Sequence, residues 1–308
     1  MNNTFYPEGN LLTTLRNRKI LSSKAALEEA AIKGEIIEAC ASSCDTAHNL
    51  TVNLGSMQGI IPRCEGAIGI SEGKVRDIAL ISRVGKPVSF IIEGFSTDNE
   101  GNRIAILSRK KAQEQCMYNY ISELMPGDII NARVTHLESF GAFCDIGCGC
   151  IALLPIDTIS VSRISHPSDR FGCGDNIKVI VKSIIDGKIT LSMKELLGTW
   201  QQNADCFTQG ETVSGIVRSV ETYGIFVELA PNLAGLAELK PGVFAGQQTS
   251  VYIKSIIPDK MKVKLIIIDS FNSTTKRLPI KYFYDQDKIF EWKYSPECCV
   301  RTVASEFI

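Results

Sequence analysis

The sequence predicts a mainly β protein: three tandem five-stranded β-barrels with short linking helices and a small C-terminal β-hairpin plus helix. Three observations predict it. First, Ser139-Phe140-Gly141-Ala142-Phe143-Cys144-Asp145-Ile146 and Thr222-Tyr223-Gly224-Ile225-Phe226-Val227-Glu228-Leu229 repeat one pattern, an aromatic, a glycine and a second aromatic in an alternating apolar run. Second, Gly127 and Gly210 open the two surrounding units at the same spacing as the two motifs. Third, strand-like runs cut by Gly, Pro and Asp turns give about five strands in each ~65–75 residues, the size of a small closed barrel.

The elements follow in order. Residues 1–32 form an N-terminal arm and a helix, with Ser22 or Ser23 capping Lys24–Ile32 and Gly34 ending it. Residues 33–112 are a fainter barrel, opened by Lys33-Gly34-Glu35-Ile36-Ile37 and continued by Gly85-Lys86-Pro87-Val88-Ser89-Phe90. Its aromatic motif is missing, because Asp45-Thr46-Ala47-His48-Asn49-Leu50-Thr51-Val52 stands there. This unit is expected to be structural or to bind protein. A linker helix over residues 113–125 stops at Pro126, which lacks the N–H a helix needs. Residues 126–195 and 207–268 are the two aromatic-bearing barrels, and residues 196–206 join them through a helix over 193–204 that Gly198 loosens.

Within these barrels Gly174-Asp175-Asn176-Ile177 and Gly246-Gln247-Gln248-Thr249 correspond, at a shorter spacing than the aromatic motifs. The first of the two therefore holds an insertion, most simply within residues 156–171. Its arginines Arg163 and Arg170 and its hydroxyls sit on an exposed connection, either solvated or touching phosphate. In residues 269–308, Ile280–Tyr284 and Lys288–Tyr294 flank an Asp-Gln-Asp turn as a hairpin. Ser295 and Pro296 then start a helix with Val300, Val303 and Phe307 as its apolar stripe. The tail aromatics Tyr282, Tyr284, Phe290, Trp292 and Tyr294 are expected to cover that helix.

Strand alternation sends residues three apart to opposite faces. A bulge at the motif glycine resets the parity, so that both rings share a face and make a stacking platform for unpaired bases. Among 308 residues, 44% are apolar and 22% charged, with a net charge of −1. That balance excludes gripping duplex DNA by charge alone, while stacking assisted by a few cations stays open. The N-terminus has no basic stretch leading into an apolar run, and no window nears the ~18 apolar residues of a membrane helix. A cytoplasmic protein without membrane attachment is expected.

The 11 cysteines are then not a disulfide framework. Cys144, Cys148 and Cys150 cluster in sequence, but their spacing matches no pair of zinc knuckles. Cys144 falls where the later motif has Val227, so thiols standing in for buried aliphatic residues are expected there and at Cys40, Cys44, Cys64, Cys116, Cys206, Cys298 and Cys299. His48, His136 and His166 are scattered surface or turn residues. No catalytic constellation, Walker motif or His-Glu-x-x-His occurs, so neither an enzyme nor a cofactor is expected.

The succession from Gly and a valine-rich strand through aromatic-Gly-x-Phe, a Gly-Leu step and Gly-x-x-Val-x-Val to Ile-x-Leu-Ser-x-Lys resembles the S-one RNA-binding domain. That domain is an OB-type five-stranded barrel. The whole chain resembles the bacterial ribosomal protein S-one-like family in its short, Clostridia-type form. The resemblance implies RNA contact by Phe140 and Phe143, and by Tyr223 and Phe226. It assigns the basic residue before the last strand to Lys188 and Lys262, and Lys182 and Lys254 end the preceding strand as further backbone contacts. Family histidines after the Gly-Leu step are replaced by Pro155 and Glu238. Single-stranded RNA, messenger RNA in translation, is the implied partner, with the small ribosomal subunit a second one and the chain a monomer. The alternative is a protein-interaction scaffold on the ribosome or RNA polymerase that has lost most RNA affinity.

Overall fold

Helices α1 (Leu15–Leu21) and α2 (Lys24–Lys33) lead into the first barrel in a computed structural model that describes residues 5–98, 100–272 and 277–307. The first few residues of the N-terminal arm and the segment 273–276 of the C-terminal appendage lie outside the described residues. The chain divides into two compact units, residues 1–124 with Asp145–Ile151 and Met125–Cys144 with Ala152–Ile308.

In the first unit, Ser23 takes the N-cap position of α2, and Gly34 closes the helix at φ +60° with its N–H on Ala30 and Ala31 carbonyls. Helix α1 was not anticipated; Thr14 caps it by accepting from the Asn17 N–H. Strands β1 (Ile37–Cys44), β2 (Leu50–Asn53), β3 (Gln58–Ile61), β4 (Pro87–Thr97) and β5 (Arg103–Ser108) close a barrel in the order β1-β2-β3-β5-β4, with α3 (Ile78–Ile81) on the long β3–β4 connection. Leu27 of α2 joins Ile37, Leu50, Val52, Ile61, Val88, Phe90 and Leu107 in its core. Ser108 ends β5 and caps α4 (Arg109–Asn119), which packs on β4.

A buried ionic cluster lies in this unit. Glu8 accepts from Arg109 Nε (2.7 Å) and Nη2 (3.0 Å) and from Arg83 Nη1 (3.1 Å). Asp145 accepts from the Glu8 N–H (2.7 Å) and from the N–H groups of Gly147 (2.8 Å) and Gly149 (3.0 Å). Burial works against Glu8, yet the two arginines hold its pKa below the ordinary 4.5. Burial, then the Glu8 charge, push Asp145 from 3.8 up to about 7. Folded Asp145 thus keeps a proton that the unfolded chain releases above its ordinary pKa. Its stabilising share is complete below 3.8 and is lost as the pH rises through about 7. Glu8 has the opposite sign, its share vanishing on acidification below 4.5. The urea midpoint of the first unit, followed by amide exchange, should be higher at pH 5 than at pH 8, and Asp145→Asn should flatten that slope. Equal midpoints in the unsubstituted chain would remove the assignment.

In the second unit β6 (Ile129–Glu138), β7 (Gly141–Gly147), β8 (Cys150–Pro155), β9 (Asn176–Ile185) and β10 (Lys188–Ser192) form a barrel closed as β10-β8-β7-β6-β9, whose β7–β8 turn end belongs to the first unit. Strands β11 (Thr212–Glu221), β12 (Gly224–Ala230), β13 (Leu233–Ala237), β14 (Gln248–Ile257) and β15 (Lys262–Phe271) close the third as β11-β12-β13-β15-β14. The linker between them is broken rather than continuous. A 3-10 turn over Lys194–Leu197 ends at Gly198 (φ +83°), and α5 (Trp200–Ala204) restarts from a Thr199–Gln202 capping box.

The C-terminal reading needs correction. Among the described residues no helix follows Ser295, and β16 (Glu291–Lys293) pairs with β17 (Ala304–Glu306). One turn over Pro296–Cys299 and a bend at Val300 and Arg301 bring the chain back to β17. Nor do residues 280–284 pair with 288–294. Lys288 instead bridges Asp128 at the start of β6, and Phe283 donates to the Leu196 carbonyl. Trp292, Tyr294 and Phe307 are buried with Trp200, Leu196 and the third barrel, while Phe290 is exposed.

Two further expectations fail in part. Cys116, Cys144 and Cys148 are buried thiols, whereas Cys40, Cys64, Cys173, Cys206 and Cys298 are exposed, and Cys44, Cys150 and Cys299 lie between. The insertion is also no solvated loop. Arg170 and Glu228 are an ion pair with fully buried side chains, Arg218 Nε lies 2.5 Å from the same carboxylate, and Asp169 meets Arg218 Nη1 at 3.3 Å. Asn232 of the third barrel accepts from the Val161 N–H (2.9 Å) and donates to Lys194 (2.7 Å) and Gly198 (2.9 Å) carbonyls, tying insertion and linker to one loop.

Candidate nucleic-acid interface

Residue registers place Phe226 on an outward row of the third barrel. In the third barrel Ser219 faces Phe226, Phe226 faces Leu236, Leu236 faces Lys264 and Lys264 faces Ser255, so these side chains lie side by side across β11, β12, β13, β15 and β14. Core residues Val227 and Leu265 alternate with them, pointing inward. The second barrel keeps the same row, with Leu153 facing Thr190 and Thr190 facing Ser183.

Parity is reset otherwise than the sequence suggested. The bulge is on β11, at Arg218 between Val217 and Ser219, and not at the motif glycine. Tyr223 and Phe140 share the face because they stand in the hairpin turns just before β12 and β7. The glycines serve close approach. A Cβ on Gly224 would lie 2.7 Å from the Ala237 carbonyl oxygen, and one on Gly141 would lie 2.6 Å from that of Leu154. The Ile156 N–H, donating to the Phe140 carbonyl (2.9 Å), fixes the turn in the second barrel.

The two aromatic pairs have the same geometry. Phe140 and Phe143 have ring centroids 6.0 Å apart at 89°, and Tyr223 and Phe226 are 6.0 Å apart at 87°. Phe140 is 54% and Tyr223 68% exposed, unusual for rings of that size, and Phe143 and Phe226 are half-buried. Perpendicular rings cannot both stack on bases that are stacked on each other. Each pair therefore suits splayed, unpaired bases and not a helical run.

Four lysines surround the rows. Lys188 and Lys262 begin β10 and β15, two residues from Thr190 and Lys264 on the same outward side. Lys182 and Lys254 occupy matching bulges on β9 and β14, further from the rings. All four are exposed, and none forms an ion pair among the described residues. The first barrel has Glu93 at this bulge, paired with Lys111, and Thr51 at the ring position facing Ile60.

The sequence reading missed three members of the site. Leu236 and Lys264 complete the third row, and the alternation Lys262-Val263-Lys264-Leu265 already put both lysines on one face. His136 stacks on Phe143 with centroids 6.4 Å apart at 26°, its Nε2 2.8 Å from Glu138 Oε1. An imidazole thus flanks the platform from β6, although the family position after the Gly-Leu step holds Pro155. Only the pairing of β6 beside β7 brings the two rings together.

Residues 123–194 match the S1 RNA binding domain. The chain is 30% identical over 295 residues to the small ribosomal subunit protein bS1 of Staphylococcus aureus strain COL, covering 87% of this chain and 72% of that one. To bS1 of Staphylococcus epidermidis it is 29% identical over 277 residues, covering 84% and 68%. A solved multidomain protein with nucleic acid binding domains from Streptococcus pneumoniae is 13% identical, covering 77% of this chain and 74% of its own, with a TM-score of 0.25. Three tandem barrels, two repeated aromatic faces and similarity along most of both chains lead to one assignment: the chain belongs to the bacterial small ribosomal subunit protein bS1 family.

Proposed function

We propose that this protein binds single-stranded RNA, above all messenger RNA during translation, as a monomer acting in the cytoplasm with the small ribosomal subunit. The observation that carries the reading is the aromatic corner made twice, Phe140 against Phe143 and Tyr223 against Phe226, exposed on equivalent barrel faces. Each ring takes the face of a splayed base, worth ~1–3 kcal/mol per base. Lys182, Lys188, Lys254 and Lys262 screen the backbone. Two weak platforms on one chain act at high effective concentration, so their affinities combine. Stacking accepts every base, and sequence preference is slight.

The test is fluorescence anisotropy with an unstructured RNA, a duplex RNA and a single-stranded DNA of equal length, from low to physiological salt. Binding should favour single strands. With four lysine contacts, the slope of log K against log salt should be about −3. Absence of binding to the single strand at low salt would return the barrels to a protein-docking role.

A further inference from the structure

The three barrels differ in what lies on the outer face of their fourth and fifth strands. Registers align Ile91 with Ser108 in the first barrel, Ile180 with Ser192 in the second and Tyr252 with Ile266 in the third. Ile91 is 6% exposed, and Ser108, Ile180 and Ser192 are 0% exposed. Tyr252 is 37%, Ile266 42% and the nearby Ile268 53% exposed.

The cause is the chain that follows each fifth strand. Ser108 accepts from the Lys111 N–H (2.9 Å), starts α4 and turns it back over β4, burying Ala112, Gln113 and Cys116. Ser192 donates to Glu195 (2.5 Å), and the turn it starts brings Leu196 and Trp200 into one cluster with Ile180. Ile266 has no hydroxyl to end the strand. There β15 runs on to Phe271 and pairs with β14 as far as Gln248. The described tail does not return to the face either. Arg277 donates to the Ser168 carbonyl, Tyr282 accepts from the Lys178 N–H, and Phe283 donates to the Leu196 carbonyl, all on the second barrel and its linker.

We propose that the outer face of β14 and β15, centred on Tyr252, Ile266 and Ile268, docks an amphipathic helix supplied by another protein. The other two barrels show which element fits this position: a short helix whose buried residues, Ala112, Gln113 and Cys116 in one and Trp200, Asn203 and Ala204 in the other, are spaced three and four apart. The exposed Lys254, Lys262 and Lys264 alongside, without ion partners among the described residues, call for carboxylates on the flanks of that helix. The proposal does not rest on base stacking at Tyr223 and Phe226, although Lys254, Lys262 and Lys264 border both faces, so RNA and the helix share these cations.

The experiment uses the full chain with labelled isoleucine methyls. The probe is a lactam-bridged peptide of residues 108–120 carrying Lys110→Glu and Lys111→Glu, which keeps the small stripe of α4 and reverses its flanking charge. Saturable shifts at Ile266 and Ile268 are expected, with Ile225 near the rings unmoved. Ile266→Glu and, separately, Ile268→Lys should weaken binding about tenfold or more, the loss expected from one buried aliphatic side chain. Native methyl shifts in the rest of the third barrel show that each variant is folded. No shift up to the solubility limit of the peptide overturns the proposal. So do shifts at Ile266 and Ile268 produced by a single-stranded oligouridine and not by the peptide, which would make this face part of the RNA path.

Discussion

Replacing Phe143 and Phe226 together by alanine should lower affinity for an unstructured RNA by about 2–6 kcal/mol, roughly thirtyfold to twenty-thousandfold. Either change alone removes one platform and leaves the other to hold the strand. The double change leaves backbone contacts from the lysines, so its loss should greatly exceed that of each single variant. Both rings lie on the outward row, and the adjacent core residues Cys144 and Val227 are fully buried and untouched. The barrels should therefore survive, which a thermal unfolding curve checks. Phe143→Leu with Phe226→Leu separates stacking from apolar contact, since leucine keeps much of the area and has no π face. That pair should resemble the alanine pair more than the unsubstituted chain. A double alanine variant that binds RNA like the parent would end the platform assignment.

How much of this was legible beforehand follows from the range of each interaction. Alternation within β12 and β15 is local, and it already separates Phe226 and Lys262 on one side from the buried Val227 and Leu265 on the other. The tandem barrels were legible because the motif and its flanking glycine-led strands recur. The perpendicular ring geometry was not, because it depends on a turn that places Tyr223 outside the strand and on a neighbouring backbone only a glycine admits. His136 was unreadable for a related reason, as its contact with Phe143 is a cross-strand register. The tail was misread where local signals and tertiary pairing compete. Ser295-Pro296 is a sound helix start, but burying Trp292 and Tyr294 and pairing β16 with β17 outweigh a helix of so few turns. The insertion was misread because nothing local marks Arg170 as the partner of Glu228, far along the chain.

Arg170→Ala should destabilise the second unit by about 3–5 kcal/mol, because it removes one of the two arginines that match the fully buried Glu228 carboxylate. Burial already pulls the Arg170 pKa below its ordinary value against the pull of Glu228, so the site tolerates charge only while it is matched. Arg218 remains on Glu228, but Arg170 also donates to Ser160 Oγ (3.1 Å) and the Pro231 carbonyl (3.3 Å), and those acceptors lose their donor too. Removing Glu228 together with both of its arginines reads differently. Arg170→Met with Arg218→Leu and Glu228→Leu should recover most of the loss, since replacing a buried ionic group by apolar residues is often neutral. Urea unfolding of the three proteins decides it, and a loss below ~1 kcal/mol in Arg170→Ala would show that the pair is solvated. The consequence reaches the RNA face. Glu228 follows Phe226 by two residues on the same side of β12, so the insertion that neutralises it also keeps a carboxylate from confronting phosphate beside the platform. A folded Arg170→Ala chain should accordingly bind RNA more weakly, and most clearly at low salt, where the uncovered charge is least screened.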